Sequence, residues 1–88
     1  MERAVVDPIE QRIQTFLHEK FPLAKKAGVL RDTALLERGI LDSLGILDVL
    51  GFLEGEFSIT VSDEELSPEN FQSLSALGAF VRRKSGAQ

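Results

Sequence analysis

The chain has 88 residues, 43% of them hydrophobic, with six Phe and neither Trp nor Tyr. A chain this short builds one small core with little room for an enclosed active-site cavity, which disfavours an autonomous enzyme, and its apolar content also argues against disorder. Ten Lys and Arg against fourteen Asp and Glu give a formal charge of −4, a balance that repels phosphate backbones and argues against nucleic-acid binding.

Other classes are disfavoured on equally simple grounds. Without cysteine there is no disulfide framework and no Cys-based metal site, and His18, the one imidazole, cannot assemble a metal cluster by itself. Its place inside an amphipathic helix assigns it a solvent-facing structural role. The apolar run from Ile40 to Leu53 contains Asp42 and Asp48 and falls short of the roughly 20 residues that cross a bilayer. No signal peptide is evident, so the expected location is cytoplasmic.

Asp7-Pro8-Ile9-Glu10 reads as a helix start, with Asp7 as N-cap, Pro8 in the first turn and Glu10 completing a capping box. Ile9, Ile13, Phe16 and Leu17 share one apolar face, while Glu10, Arg12, Gln14 and Glu19 point elsewhere. Phe21-Pro22 closes the helix, because a residue before proline avoids the helical region. Residues 22 to 41 show no sustained period and are punctuated by Pro22, Gly28, Asp32 and Gly39. They read as a long ordered loop, with Leu23, Val29, Leu30, Leu35 and Leu36 pinning it over the helix ends.

A second helix is expected from about Ser43 to Phe57. Ile46, Val49, Leu50, Leu53 and Phe57 form its core stripe; Leu44, Leu47 and Gly51 form a second stripe that is continuous with Ser43. So small a domain needs only one of them, which frees the other for a partner or a cargo. Gly45, Gly51 and Gly55 each cost this helix about 1 kcal/mol against Ala. Ser58 to Ser62 alternates like a strand but has no partner, so it reads as an extended loop. Asp63-Glu64-Glu65-Leu66 reads as one helical turn capped by Ser62 or Asp63 and stopped at Ser67-Pro68. The last helix opens at Ser73, with Leu74, Leu77, Phe80 and Val81 at helical spacing and Arg82, Arg83 and Lys84 at its negative end.

The stretch Gly39 to Gly51 carries the functional signal. Asp42 or Ser43 can cap the helix that follows, which sets a serine hydroxyl at an exposed helix N-terminus. From Gly39 through Val81 the chain holds eight carboxylates (Asp42, Asp48, Glu54, Glu56, Asp63, Glu64, Glu65 and Glu69) and no Lys or Arg, a block suited to docking basic partners. Nucleophilic catalysis by Ser43 would need a base beside it, and neither a triad nor a Gly-x-Ser-x-Gly elbow is present.

Gly39-Ile40-Leu41-Asp42-Ser43-Leu44-Gly45, leading into such a helix, resembles the 4′-phosphopantetheine attachment site of the acyl carrier protein family. Asp32 to Gly39 and Asn70-Phe71-Gln72-Ser73-Leu74 resemble that family's approaches to the serine and to the last helix. The resemblance covers about residues 8 to 84 and implies one all-α carrier domain over 1–88 of the discrete type, a small four-helix bundle with a long first loop and a short third helix. It implies that a separate transferase, which holds the magnesium, moves 4′-phosphopantetheine from coenzyme A onto Ser43. The arm would then carry acyl groups as thioesters between enzymes of fatty-acid, polyketide or other secondary metabolism. Loading ligases and synthases with basic surfaces would dock on Asp42, Leu44, Leu47, Asp48 and Gly51, and the chain would be a monomer with no catalytic residue and no metal. Asp42 before Ser43 leans toward acyl cargo. A free-standing aminoacyl or peptidyl carrier is the alternative, and a helical interaction domain without a prosthetic group is the reading from another class. Bulky Leu50, Leu53, Phe57, Phe71, Leu77 and Phe80 leave the core little slack, so a short or polar cargo held outside it is expected.

Overall fold

The computed structural model describes residues 7–86. Asp7 caps the first helix as expected, its carboxylate accepting the Glu10 N–H at 2.8 Å, and α1 spans Pro8–Lys20. Phe21 ends it in extended backbone (φ −119°, ψ 111°), the conformation a following proline imposes. Pro22 also does something that the loop expectation does not include. It is the first residue of a short helix α2, Pro22–Ala27, closed by Gly28 at φ +74°. Proline at the start and glycine at the end are helix boundaries as well as loop punctuation, and six residues are too few for a period to register. The long first loop is therefore interrupted by a helix.

The helix α3 spans Ser43–Phe57. Among the described residues, 58–62 form no regular element, and a 3-10 turn at Asp63–Glu65 sits in a capping box made by Ser62 and Glu65. The Ser62 N–H and, after it, the Lys84 ammonium hold the Glu65 carboxyl below its ordinary range. Pro68 again begins a helix, α4 at Pro68–Phe71, where only a stop is expected from sequence. The last helix, α5, spans Leu74–Ser85 under a Ser73 cap. The described architecture is all-α, with three longer helices and two short ones around a common core. None of these helices is long and apolar enough to cross a membrane.

Helix α1 packs against α5, α2 and α3, α3 also meets α5, and α4 lies on α5. Ile13 and Leu17 from α1, Val49 and Leu53 from α3, and Leu74, Leu77, Phe80 and Val81 from α5 are buried together with Phe71. Of the expected α3 stripe, Ile46, Leu50 and Phe57 are half-buried. Phe52, in neither expected stripe, stacks on Phe16 with centroids 4.2 Å apart and also meets Phe57 edge-on. In the loop, Val29 and Leu35 are buried as pins, but Leu23 and Leu30 remain 55% and 64% exposed.

Two polar residues of α1 also depart from expectation. Glu10, expected on the outer face and as a capping-box partner, is 1% exposed, and its carboxylate takes two hydrogen bonds from Arg31, at 2.7 and 3.1 Å. His18 is half-buried rather than solvent-facing, its Nε2 accepting the Val29 N–H at 3.1 Å, while the Gln14 amide donates to the Val29 carbonyl. Both residues on α1 thus serve to hold the loop.

The glycines separate by what surrounds them. A methyl at Gly78 would lie 2.8 Å from Glu10 Cγ, whereas nothing stands within 4 Å of one at Gly51 or Gly55. Gly51→Ala and Gly55→Ala should each stabilise the fold by about 0.5 to 1 kcal/mol, and Gly78→Ala should destabilise it. Urea titration of the three variants checks both signs; a stabilised Gly78→Ala would show that Glu10 can move aside.

Candidate functional site

The N-terminus of α3 is set by the turn that precedes it. The Leu35 N–H donates to the Gln72 carbonyl at 2.9 Å, tying the turn to the start of α5. The Leu35 carbonyl then accepts the N–H groups of both Ile40 and Leu41, and Gly39, at φ +74°, supplies the left-handed residue that lets the chain double back. Leu35, Ile40 and Leu41 are buried, so this turn is anchored by packing as well as by hydrogen bonds. It delivers the next two residues to the surface.

Asp42 is the cap. Its Oδ1 accepts the Gly45 N–H at 2.8 Å and its carbonyl accepts the Ile46 N–H. Ser43 is the first residue of α3, exposed, and among the described residues its hydroxyl has no hydrogen-bond partner. Of the two possible caps the carboxylate is used and the hydroxyl is left free. Gly45 faces inward, where a methyl would lie 3.1 Å from Phe21 Cε1 and 3.3 Å from Leu41 Cδ2; its lack of a side chain lets Phe21 pack beneath the first turn.

Outside this turn the expected second stripe is on the surface. Leu44 is 74% and Leu47 54% exposed, and Asp48 and Gly51 are exposed with them. A groove of about 280 Å³ adjoins this helix start, lined by Phe21, Pro22, Leu23, Gly39 and Ile40 and by Asp42, Leu44, Gly45 and Asp48; Asp42 and Leu44 flank Ser43 in the chain, but Ser43 itself is not part of the lining. Leu23, expected as a loop pin, belongs to this face. The sequence signal for that placement is its position directly after Pro22, in the first turn of α2.

The carboxylate block is less uniform than its sequence. Glu54 accepts the Val61 N–H, Glu56 pairs with Arg12 at 2.9 Å and Glu65 pairs with Lys84 at 2.9 Å. Basic residues from both flanks fold back over the block, and Arg82 likewise pairs with Asp7. Asp42 and Asp48, nearest Ser43, have no cationic partner among the described residues. His18, committed to Val29, stands as a loop anchor and not as a base for Ser43.

No protein-family model matches the chain. Among curated proteins it is similar to "Probable acyl carrier protein PigG" of Serratia sp. (strain ATCC 39006), with 29% identity over 75 residues, 85% of this chain and 86% of that protein. This likeness supports a carrier of the acyl carrier protein family. The aligned share is large enough to take in most of the helical fold. What the site then offers to such a role is an unengaged hydroxyl at a rigid helix start, bordered by exposed leucines and two unpaired carboxylates.

Proposed function

We propose that this chain is an acyl carrier protein in which Ser43 accepts 4′-phosphopantetheine, and that it performs no catalysis of its own. The observation that carries this reading is the split of roles at the start of α3: Asp42 takes the cap and Ser43 keeps a free surface hydroxyl. The residues suit the group. Ser43 Oγ would hold it, the positive end of the fifteen-residue α3 favours a phosphate, and Leu23 and Leu44 offer exposed apolar surface near this helix start. When bound, the group supplies the thiol that this cysteine-free chain lacks, for acyl groups carried as thioesters.

The chain's own residues orient and present. Asp42 fixes the first turn so that the Ser43 hydroxyl points from a rigid base, and the base that deprotonates this hydroxyl must come from the transferase, since the chain provides none engaged with it. Leu44, Leu47, Asp48 and Gly51 form the exposed flank on which a phosphopantetheinyl transferase, a loading ligase and synthases would dock. The test is intact mass after coexpression with a phosphopantetheinyl transferase. Gain of one phosphopantetheine supports the assignment; an unchanged mass, under conditions that convert another carrier fully, refutes it.

The cargo belongs to the same reading. Leu53, Phe71, Leu77 and Phe80 are buried with almost no exposure, and forcing methylenes into such packing costs about 1 to 3 kcal/mol. The natural cargo is thus short or polar and stays outside the core. In acetyl, octanoyl and aminoacyl forms, the methyl chemical shifts of Val49, Leu53 and Leu77 should stay together. Large shifts confined to the octanoyl form, with a higher melting temperature, would reveal an accommodating interior and overturn this assignment.

A further inference from the structure

A second groove, of about 200 Å³, lies alongside the one at the start of α3. Leu23, Lys26, Ala27, Arg38 and Ile40 line it. The two grooves share Leu23 and Ile40, and their charges are opposite: the ionisable residues of one are Asp42 and Asp48, those of the other Lys26 and Arg38. All four are exposed. Neither Lys26 nor Arg38 has a carboxylate partner among the described residues, although Arg12, Arg31, Arg82 and Lys84 all do. Leu23, on the shared wall, and Leu44, in the groove with Asp42 and Asp48, both stand exposed. This face is therefore an apolar strip with an anionic rim along α3 and a cationic rim along α2 and the turn before Gly39.

What covers the strip follows from Ser43. An enzyme that acts on a hydroxyl flanked by Asp42 and Leu44 has to pack over these residues, and the shared wall of the two grooves carries it onto Leu23 and its basic neighbours. A uniformly basic docking surface would meet Lys26 and Arg38 as like charges, which costs encounter rate and affinity. From this juxtaposition, and resting on the reading of Ser43 as the acceptor, we infer that the enzyme modifying Ser43 has a two-signed docking surface. It sets a cation over Asp42 and Asp48, a carboxylate over Lys26 and Arg38, and an apolar side chain between Leu23 and Leu44.

The sign of one charge reversal distinguishes this surface from a purely acidic one. With the full chain, coenzyme A and the phosphopantetheinyl transferase that converts the wild type, kcat/KM for mass conversion is measured at low and high salt. Lys26→Glu/Arg38→Glu should lower it on the order of tenfold at low salt, Lys26→Gln/Arg38→Gln should fall between, and Asp48→Lys should lower it as well. Added salt should narrow all these differences. Lys20→Glu/Lys25→Glu, an equal charge change at two exposed residues lining neither groove, should matter far less. A purely acidic docking surface predicts the reverse for Lys26→Glu/Arg38→Glu, because adding negative charge would speed a basic partner. A rate equal to or above wild type in that variant overturns the inference while leaving the carrier reading intact. A wild-type chain that gains no mass from transferases that fully convert another carrier overturns both.

Discussion

Ser43→Ala is expected to fold like the parent chain and to gain no phosphopantetheine at all. The fold is spared because nothing structural depends on the hydroxyl: Ser43 is exposed at the first position of α3, and the cap hydrogen bond runs from the Gly45 N–H to Asp42. Surface changes of this kind stay within about 0.5 kcal/mol, and alanine is the best helix former. Loss of modification should be complete because the proposed acceptor oxygen itself is removed. Ser73→Ala provides the contrast. There the hydroxyl does cap a helix, accepting the Ala76 N–H at 3.1 Å, so its removal should cost about 1 kcal/mol and leave modification untouched. Intact mass and thermal melting on both variants give a crossed result, one losing cofactor and the other stability. If the Ser43→Ala chain still gained the cofactor's mass, another residue would be the acceptor and the proposed function would have to be rebuilt around it.

The parts of the fold that can be read directly from the chain are those governed by neighbours in sequence. The Asp7 and Ser73 caps, the span of α3, and the exposure of Leu44 and Leu47 follow from spacing of 3 or 4 residues, which helical geometry converts into a shared face. Asp42 and Ser43 are equally good caps by type, and only geometry decides which oxygen reaches the Gly45 N–H. The departures lie where a distant segment overrides local pattern. Glu10 looks like an outward carboxylate on an amphipathic helix; it is buried because Arg31, 21 residues later, comes across to neutralise it. His18 is drawn inward by a backbone N–H of the loop in the same way. Leu23 and Leu30 read as pins because apolar residues in a loop need a reason, and burial is the usual one, yet both are exposed. For Leu23 the structure supplies a different reason, a place on the surface in one groove with Asp42 and Leu44.

Arg31→Met should destabilise the fold more than any of the glycine or serine substitutions. Arg31 holds the first loop in two directions: its carbonyl accepts the Ser75 N–H at 3.0 Å from α5, and its guanidinium grips both oxygens of Glu10 on α1. The hydrogen bonds that Arg31 donates to Glu10, and after them the carboxylate's charge, raise the affinity of Arg31 for its proton further above an already high value, so the guanidinium stays cationic. The two partners are not equivalent. The Arg31 side chain is half exposed and can be hydrated if left alone, whereas Glu10 is enclosed and rests against Gly78. Removing Arg31 therefore strands a carboxylate inside the fold, the costly half of a broken pair, and at neutral pH the melting temperature should fall on the order of 10 °C or more. Glu10→Gln/Arg31→Met removes the stranded charge and should recover much of the loss, since a neutral amide is cheaper to bury than an unpaired ion. Arg31→Lys should lie between, because an ammonium cannot reproduce the two-pronged contact of a guanidinium. The order of the three melting temperatures is the decisive measurement. If the double variant melted no higher than Arg31→Met, the stranded carboxylate would not be the cause, and the loss would be assigned to the alkyl packing of Arg31 alone.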